Sequence, residues 1–318
     1  MNNNNIASPV NRFRTVDIDE HARNMGGWQV CYDQLTPGRF EGELIEFRSD
    51  WMQLVRDRSN QAMTKRGVAW EGAITFSMPL VADGPVFCSG HPILEPSLLV
   101  ARGQNLPELR TPQHLDVLGV AIDEQALAHV LERQGSRFRI TDLPKCYRLG
   151  DSTLPAELAA LFAELESDQG RDSLLGYESI RRGLRDTVML HMLELVAPDE
   201  APPLSPTARK RMVDRAREYA LAHVDEPLSI LDLCNHIGAS RRKLQYCFQE
   251  TLGINPLAYL RALRLNAVRR ELRNGDQVQG VQEVAARWGF WHLSRFSSDY
   301  RVLFGETPSQ TLRRTHLC

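Results

Sequence analysis

Apolar residues in the first 122 positions fall in short runs separated by turn residues. From Arg39 onward, Phe40, Leu44 and Phe47 alternate with Glu43, Glu46 and Arg48. Further apolar runs lie at 74–81, 86–88, 98–101 and 117–122. Pro37-Gly38, Gly67, Gly84-Pro85, Gly90, Pro92, Pro96 and Gly103 punctuate them. Many short strands with regular turn signals predict a β-barrel or a sandwich. At Asp123, a helix-capping residue, the period changes to helical, and 124–133 reads as amphipathic. Two more helices are expected at 155–166 and 174–196, where Leu158, Leu161, Phe162 and Leu165, then Ile180, Leu184, Val188 and Leu195, recur at helical spacing.

The apolar signal stops at 197–207, APDEAPPLSPT, where four prolines fall in eleven residues. That composition predicts an extended linker and a domain boundary. Beyond it the pattern is helical throughout. Ser240 caps a helix that ends at Gly253, Asn255 caps a long one from Pro256, and Gly289 and Gly305 end two others. One unit occurs twice. Leu233-Cys234, Gly238, Leu244, Phe248, Gly253 and Pro256 correspond to Val284-Ala285, Gly289, Phe296, Tyr300, Gly305 and Pro308. Such a repeat marks a duplicated supersecondary unit. A short helix, a glycine turn and a second helix with an outward polar face have the form of a helix-turn-helix, whose second helix enters the major groove.

Composition adds limits. The chain has 318 residues, 42% hydrophobic and 25% charged, which fits two globular domains. No apolar run is long enough to cross a membrane. The polar start, Met1 to Asn5, lacks the features of a signal peptide, and residues 1–19 read as a disordered tail. Cys31, Cys88, Cys146, Cys234, Cys247 and Cys318 form no CxxC pair, so neither a zinc site nor a disulfide framework is expected, and a cytoplasmic location fits. Charge is uneven. Residues 208–318 hold 18 Lys/Arg and 11 Asp/Glu, hence +7, while 1–207 hold 20 and 29, hence −9, giving the overall −2. A basic C-terminal third points to a polyanionic partner for that part alone.

The C-terminal region resembles the DNA-binding domain of the AraC/XylS transcription regulators over about 208–315. The resemblance is carried by A-x-x-W-G-F at 285–290, by Tyr300-x-x-x-Phe304-Gly305 and by Thr307-Pro308-Ser309. The whole chain is similar to the members of that family that control ethanolamine-utilisation operons. The stretches are His21-Ala22, the W-Q-x-x-Y-D-Q-L-x-P-G run at 28–38, F-x-G-E at 40–43, D-L-C-N at 232–235, R-L-N-A-V-R-R-E-L at 264–272 and W-G-F-W-H-L at 288–293. The resemblance implies an α+β two-domain protein. Its N-terminal domain, 20–196, would be a cupin-like β-barrel with flanking helices. Its C-terminal domain, 208–318, would be all-α with two helix-turn-helix motifs. It also implies a transcription regulator, an activator, with double-stranded DNA, RNA polymerase and a second copy of the chain as partners.

Aligning the repeat on that family assigns base contacts to Arg242, Gln245 and Tyr246 in the first unit and to Ser294, Arg295 and Ser298 in the second. Arg and Gln read guanine and adenine bidentately, whereas serines are weak readers. Arg241, Lys243 and Arg301 are expected at phosphates. Arg269-Arg270, on the connector, reads as a solvated face. The implied effectors are ethanolamine with adenosylcobalamin. Trp28, Tyr32, Glu43 and Trp70 are the candidates to hold an amine, and the alternative, favoured for any single one of the aromatics, is that it fills the barrel core. The D-x-H-x-x-G pattern of base-off cobalamin binding is absent. Helix 174–196 could be a dimer seam or a lid. No catalytic motif such as GxSxG, a P-loop or GxGxxG occurs, so an enzyme is not expected. The rival reading is a ligand-independent regulator controlled by a protein partner.

Overall fold

In the computed structural model, the described residues are 10–93, 97–134, 138, 140–149, 153–166, 177–196, 201, 204–224, 229–274 and 280–315. The N-terminal half is built on two sheets. The larger has seven strands: β1 (Val10–Thr15), β3 (Gly42–Arg48), β4 (Met52–Ser59), β11 (Leu115–Asp123), β6 (Ala73–Ala82), β9 (Ser97–Arg102) and β12 (Lys145–Arg148), in that spatial order. The smaller has five: β2 (Gln29–Gln34), β5 (Met63–Val68), β10 (Leu109–Arg110), β7 (Val86–Cys88) and β8 (His91–Ile93). All pairings are antiparallel.

Two expectations change here. The domain is not a closed barrel: the two sheets share no strand, and β1 and β12 are edges with one partner each. Alternation along a strand reports a half-buried face, which sandwich and barrel share, so periodicity could not tell them apart. The expected tail also contains structure. Val10–Thr15 pairs along its length with β3, and Asp17 caps α1 (Ile18–Arg23). Residues 1–9 lie outside the described residues.

The larger sheet buries Phe47, Leu54, Phe76, Val100, Val120 and Ile122 against three helices. These are α2 (Glu124–Gln134), α3 (Leu154–Glu166) and α4 (Glu178–Val196). Helix α4 seats Val188, Met189, Met192 and Leu193 in that core and leaves Ile180 and Leu190 exposed. The part of the expected helix at 174–176 lies outside the described residues.

Among the described residues seven helices follow: α5 (Ala208–Ala222), α6 (Ile230–Ile237), α7 (Arg241–Leu252), α8 (Pro256–Arg273), α9 (Val281–Arg287), α10 (Leu293–Phe304) and α11 (Pro308–Thr315). Ser229 and Asp232 form a capping box on α6. Ser240 caps α7 and Asn255 caps α8 through side-chain acceptors. Gly253 and Gly305 end α7 and α10 in the left-handed conformation at φ 66° and 70°, so the two units terminate alike. Leu244, Phe248, Tyr259, Val268, Val284, Phe296, Tyr300 and Phe304 form one core.

Helix α8 is buried on all sides from Ala262 to Arg269. The α-helical core covers its inner side, and the N-terminal half covers the rest. Leu35 of the N-terminal half joins the helical core, and Gly38 donates its amide to the carbonyls of Val302 and Leu303 at 3.1 Å each. The described end of the linker is also docked: Leu204 donates to the Pro144 carbonyl at 2.8 Å, and Thr207 to that of Ser89 at 3.2 Å.

Candidate nucleic-acid interface and ligand cavity

Helices α7 and α10 hold the second position in each repeat. Their apolar residues, Leu244 and Phe248 in one and Phe296 and Tyr300 in the other, point into the common core and fix the opposite faces outward. On α7, Arg241, Arg242, Lys243, Gln245 and Tyr246 are exposed. On α10, Ser294, Arg295, Ser298 and Arg301 are exposed. Arg242 and Arg295 make no ion pair or hydrogen bond among the described residues. Tyr246 is half-exposed, and its ring and hydroxyl both meet Arg209 of α5, with the guanidinium 5.2 Å from the ring centre. Trp291, His292 and Arg295 line an open groove with Arg261 and Arg264 beside α10. His292 precedes α10 without a side-chain cap.

The connector between the two outward faces is α8, with 18 residues. At 1.5 Å per residue it spans about 27 Å, close to the roughly 34 Å of one duplex turn. It is buried between the helical core and the N-terminal half, to which Asn266 and Arg269 bond. Sequence reasoning placed Arg269 and Arg270 on a solvated face of this helix, and the structure overturns that. Arg269 is 3% exposed and donates to Asp17 and Glu306 at 2.6 Å each. Arg270 donates to Asp19 at 3.1 Å, to the Tyr32 carbonyl at 3.1 Å and to Asp33. Apart from Glu306, the carboxylates come from α1, its N-cap and β2, more than 230 residues away in sequence, so no local pattern could announce them.

Between the two sheets lies a cavity of about 100 Å³. Its wall is mainly apolar, with Met25, Trp28, Val30, Val55, Leu99 and Leu109, and Tyr32, Asp57, Lys65 and Arg66 add polar groups. Of the four sequence candidates, Trp28 and Tyr32 line it. Trp70 sits next to Trp28, and both indole N–H groups donate to the Gln53 side-chain oxygen, at 2.9 and 2.7 Å. Glu43 lies outside the cavity, on an open face of the larger sheet, bonded by Arg12, Arg14 and Arg58. Burial raises its carboxyl, but those three arginines outweigh it and hold it at about 2.

Asp57 is fully buried inside the domain. One oxygen takes a hydrogen bond with His21 Nε2 at 2.9 Å, and the other takes one from Lys65 Nζ at 2.6 Å. Desolvation pushes its carboxyl up, but Lys65 and His21 hold it well below the usual carboxylate range. Burial, with the Asp57 charge, pushes the Tyr32 phenol well up, so it stays neutral. Gly67 lines the same cavity at φ 142°, where a Cβ would stand 2.2 Å from the Gln29 carbonyl oxygen, so only glycine lets β5 lie this close to β2. Sequence reasoning missed Asp57, Lys65 and Arg66, which lie in short contiguous charged runs, Arg56-Asp57-Arg58 and Lys65-Arg66, and carry no motif.

A helix-turn-helix domain model matches residues 233–314. The chain is similar to a probable thc operon regulatory protein of Rhodococcus erythropolis, 39% identical over 103 residues, which is 32% of this chain and 31% of that one. It is also similar to XylDLEGF operon transcriptional activator 3 of Pseudomonas putida, 33% identical over 102 residues, 32% of this chain and 31% of that one. Among solved structures, a probable AraC family transcriptional regulator from Rhodopseudomonas palustris is 34% identical, covering 33% of this chain and 97% of that chain at a TM-score of 0.31. The matched stretch thus spans about a third of the curated relatives. Among the described residues no helix is long and apolar enough to cross a membrane.

Proposed function

We propose that the chain is a transcription regulator of the AraC/XylS family, which its C-terminal third resembles, and that it binds DNA sequence-specifically and activates transcription in response to a small molecule. One observation carries the DNA half: α7 and α10 present exposed polar faces at equivalent places in a repeat, joined by one buried helix. Arg242, Gln245 and Tyr246 would read bases in one major groove, and Ser294, Arg295 and Ser298 in the next. Arg241, Lys243 and Arg301 would bind phosphates. Tyr246 would have to leave Arg209 to reach a base.

The cavity supports the sensing half, because mainly apolar walls with a few convergent polar groups are what small-molecule sites have. Trp28 and Tyr32 would touch the ligand, with Trp70 behind Trp28. Ethanolamine has thinner support than the resemblance alone implies: both oxygens of Asp57, the one carboxylate in the wall, already hold a cationic or N–H partner. Adenosylcobalamin does not fit, since a corrin with its nucleotide far exceeds this cavity. RNA polymerase and a second copy of the chain are the further partners we propose, at a cytoplasmic location. The domain division we propose is an effector-binding half to about 196, a linker at 197–207 and a DNA-binding half from 208.

Selection from random duplexes tests the DNA half. The full chain should enrich a motif with two parts about one helical turn apart, and binding should then exceed that to scrambled duplex by 10³-fold or more at physiological salt, the order typical of specific binders. Equal affinity for all duplexes, with a steep salt dependence, would remove the sequence-specific role.

A further inference from the structure

Arg66 stands in the wall that separates the cavity from a polar cleft between the two halves of the chain. With Leu106 and Pro107 it lines both spaces. Its guanidinium donates to Asp33 and lies 3.9 Å from Glu108. Each of those carboxylates also holds the DNA-binding half. Asp33 accepts from Arg270 of the connector α8. Glu108 accepts from Arg217 of α5 and pairs with Lys210 of the same helix at 3.1 Å. One cavity residue therefore stands one carboxylate away from both α5, which packs on the first helix-turn-helix unit, and α8, which joins the two.

The Nε–H of Arg66 is buried without a hydrogen-bond acceptor, its neighbour being the Glu108 carboxylate, 3.9 Å away and beyond hydrogen-bond reach. A buried unpaired donor costs free energy that an incoming acceptor recovers. The carboxylate of the wall, Asp57, has both oxygens engaged, so the unmet hydrogen-bonding capacity here is a donor on a cation. The remaining wall is mainly apolar, with Tyr32, Lys65, Thr75 and Ser77 as its other polar side chains, and the Lys65 ammonium is held by Asp57.

We infer that the cavity takes a small molecule with an apolar body and a single anionic head, and that Arg66 is the positioning residue that passes its arrival to the DNA-binding helices. This rests on the sensor role proposed above and names its ligand class and its route. The head group accepts from Arg66, whose hold on Asp33 and Glu108 weakens. Those carboxylates then bind Arg270 and Arg217 on different terms, and the seating of α5 and α8 on the N-terminal half changes. The device is reciprocal: DNA that favours one seating changes ligand affinity by the same factor.

The test uses three probes of one length and three charges: butyrate, butylamine and butanol. Each is added in excess to the full chain, and thermal unfolding, Trp fluorescence and affinity for the selected duplex are measured. Butyrate alone should raise the unfolding midpoint, by about 2 °C or more, and change DNA affinity at least threefold. Arg66→Gln should abolish the midpoint shift. Glu108→Gln, whose side chain lies in the cleft, should keep the shift but lose at least half of the effect on DNA affinity. A shift with butylamine or butanol in place of butyrate would overturn the anionic class and leave the sensor role standing. An undiminished DNA effect in Glu108→Gln would overturn the relay. No change with any probe would overturn the inference, while the DNA-binding role stands or falls on the duplex selection.

Discussion

Asn266 and Gln34 bond across the two halves of the chain as neighbouring strands do. The Gln34 amide donates to Asn266 Oδ1 at 2.9 Å, and Asn266 Nδ2 donates to the Gln34 carbonyl at 2.9 Å. A side-chain amide thus continues the edge strand β2 onto the connector helix. The Gln34 side chain extends the junction, donating to the carbonyls of Gly38 and Leu303 at 2.7 Å each. Both residues are 1% exposed.

Asn266→Ala should therefore be costly out of proportion to its size. It leaves a buried N–H and a buried C=O of Gln34 without these partners, each worth about 1–3 kcal/mol. We expect a loss of about 2–4 kcal/mol in chemical denaturation and a splitting of one transition into two, one for each half. A loss under 0.5 kcal/mol with a single transition would show that the junction contributes little.

Acidity should reveal the same junction. Burial raises the Asp19 carboxyl to about 6, against the opposing pull of Arg270. An acid whose folded-state pKa is raised makes the folded state less stable as pH rises from the unfolded value, near 4, through 6. Relative to Asp19→Asn, the wild type should gain about 1 kcal/mol on going from pH 7 to pH 5. Asp17 acts in the other direction. Its burial raises the carboxyl, but Arg269 and Arg273 hold it below the ordinary value, so its contribution is present above pH 4 and lost below it. Parallel pH profiles for the wild type and Asp19→Asn would contradict this account.

Arg242→Ala should weaken binding to the selected duplex by about 1–3 kcal/mol and leave the thermal midpoint unchanged, because the side chain is exposed and makes no ion pair or hydrogen bond among the described residues. Arg301→Ala should weaken all duplexes alike and lower the salt slope by about 1, as loss of one phosphate contact does. Competition with scrambled duplex separates the two outcomes.

Gly67→Ala should destabilise the N-terminal half by several kcal/mol. The backbone is at φ 142° and the added methyl would meet the Gln29 carbonyl oxygen at 2.2 Å. A variant within 1 kcal/mol of wild type in urea would mean that β2 and β5 can move apart at little cost.

Much of this protein is local and was legible as sequence. Ser240, Gly253, Asn255 and Gly305 set the ends of helices within a few residues of themselves, through caps that need no distant partner. The matched spacings around Phe248 and Tyr300 fixed the repeat and the outward faces of α7 and α10. The strand runs near 74–81 and 117–122 became β6 and β11. What local pattern could not hold was pairing. Arg270 looks solvated until Asp19 and Asp33 arrive from the other end of the chain. Glu43, a plausible amine partner by type, turns out to face three arginines on the two neighbouring strands.

The sequence by itself determined a β-rich half, a helical half and two outward helices on a connector, because hydrophobic period and capping act over one to four residues. The tertiary structure alone decided that the strands form two sheets and not a closed barrel, that Trp28 and Tyr32 share a cavity with Asp57, Lys65 and Arg66, and that the connector is buried against α1 and β2. Those facts depend on which charges and backbone edges meet across hundreds of residues. Burial decides their energies, and burial belongs to the folded chain as a whole.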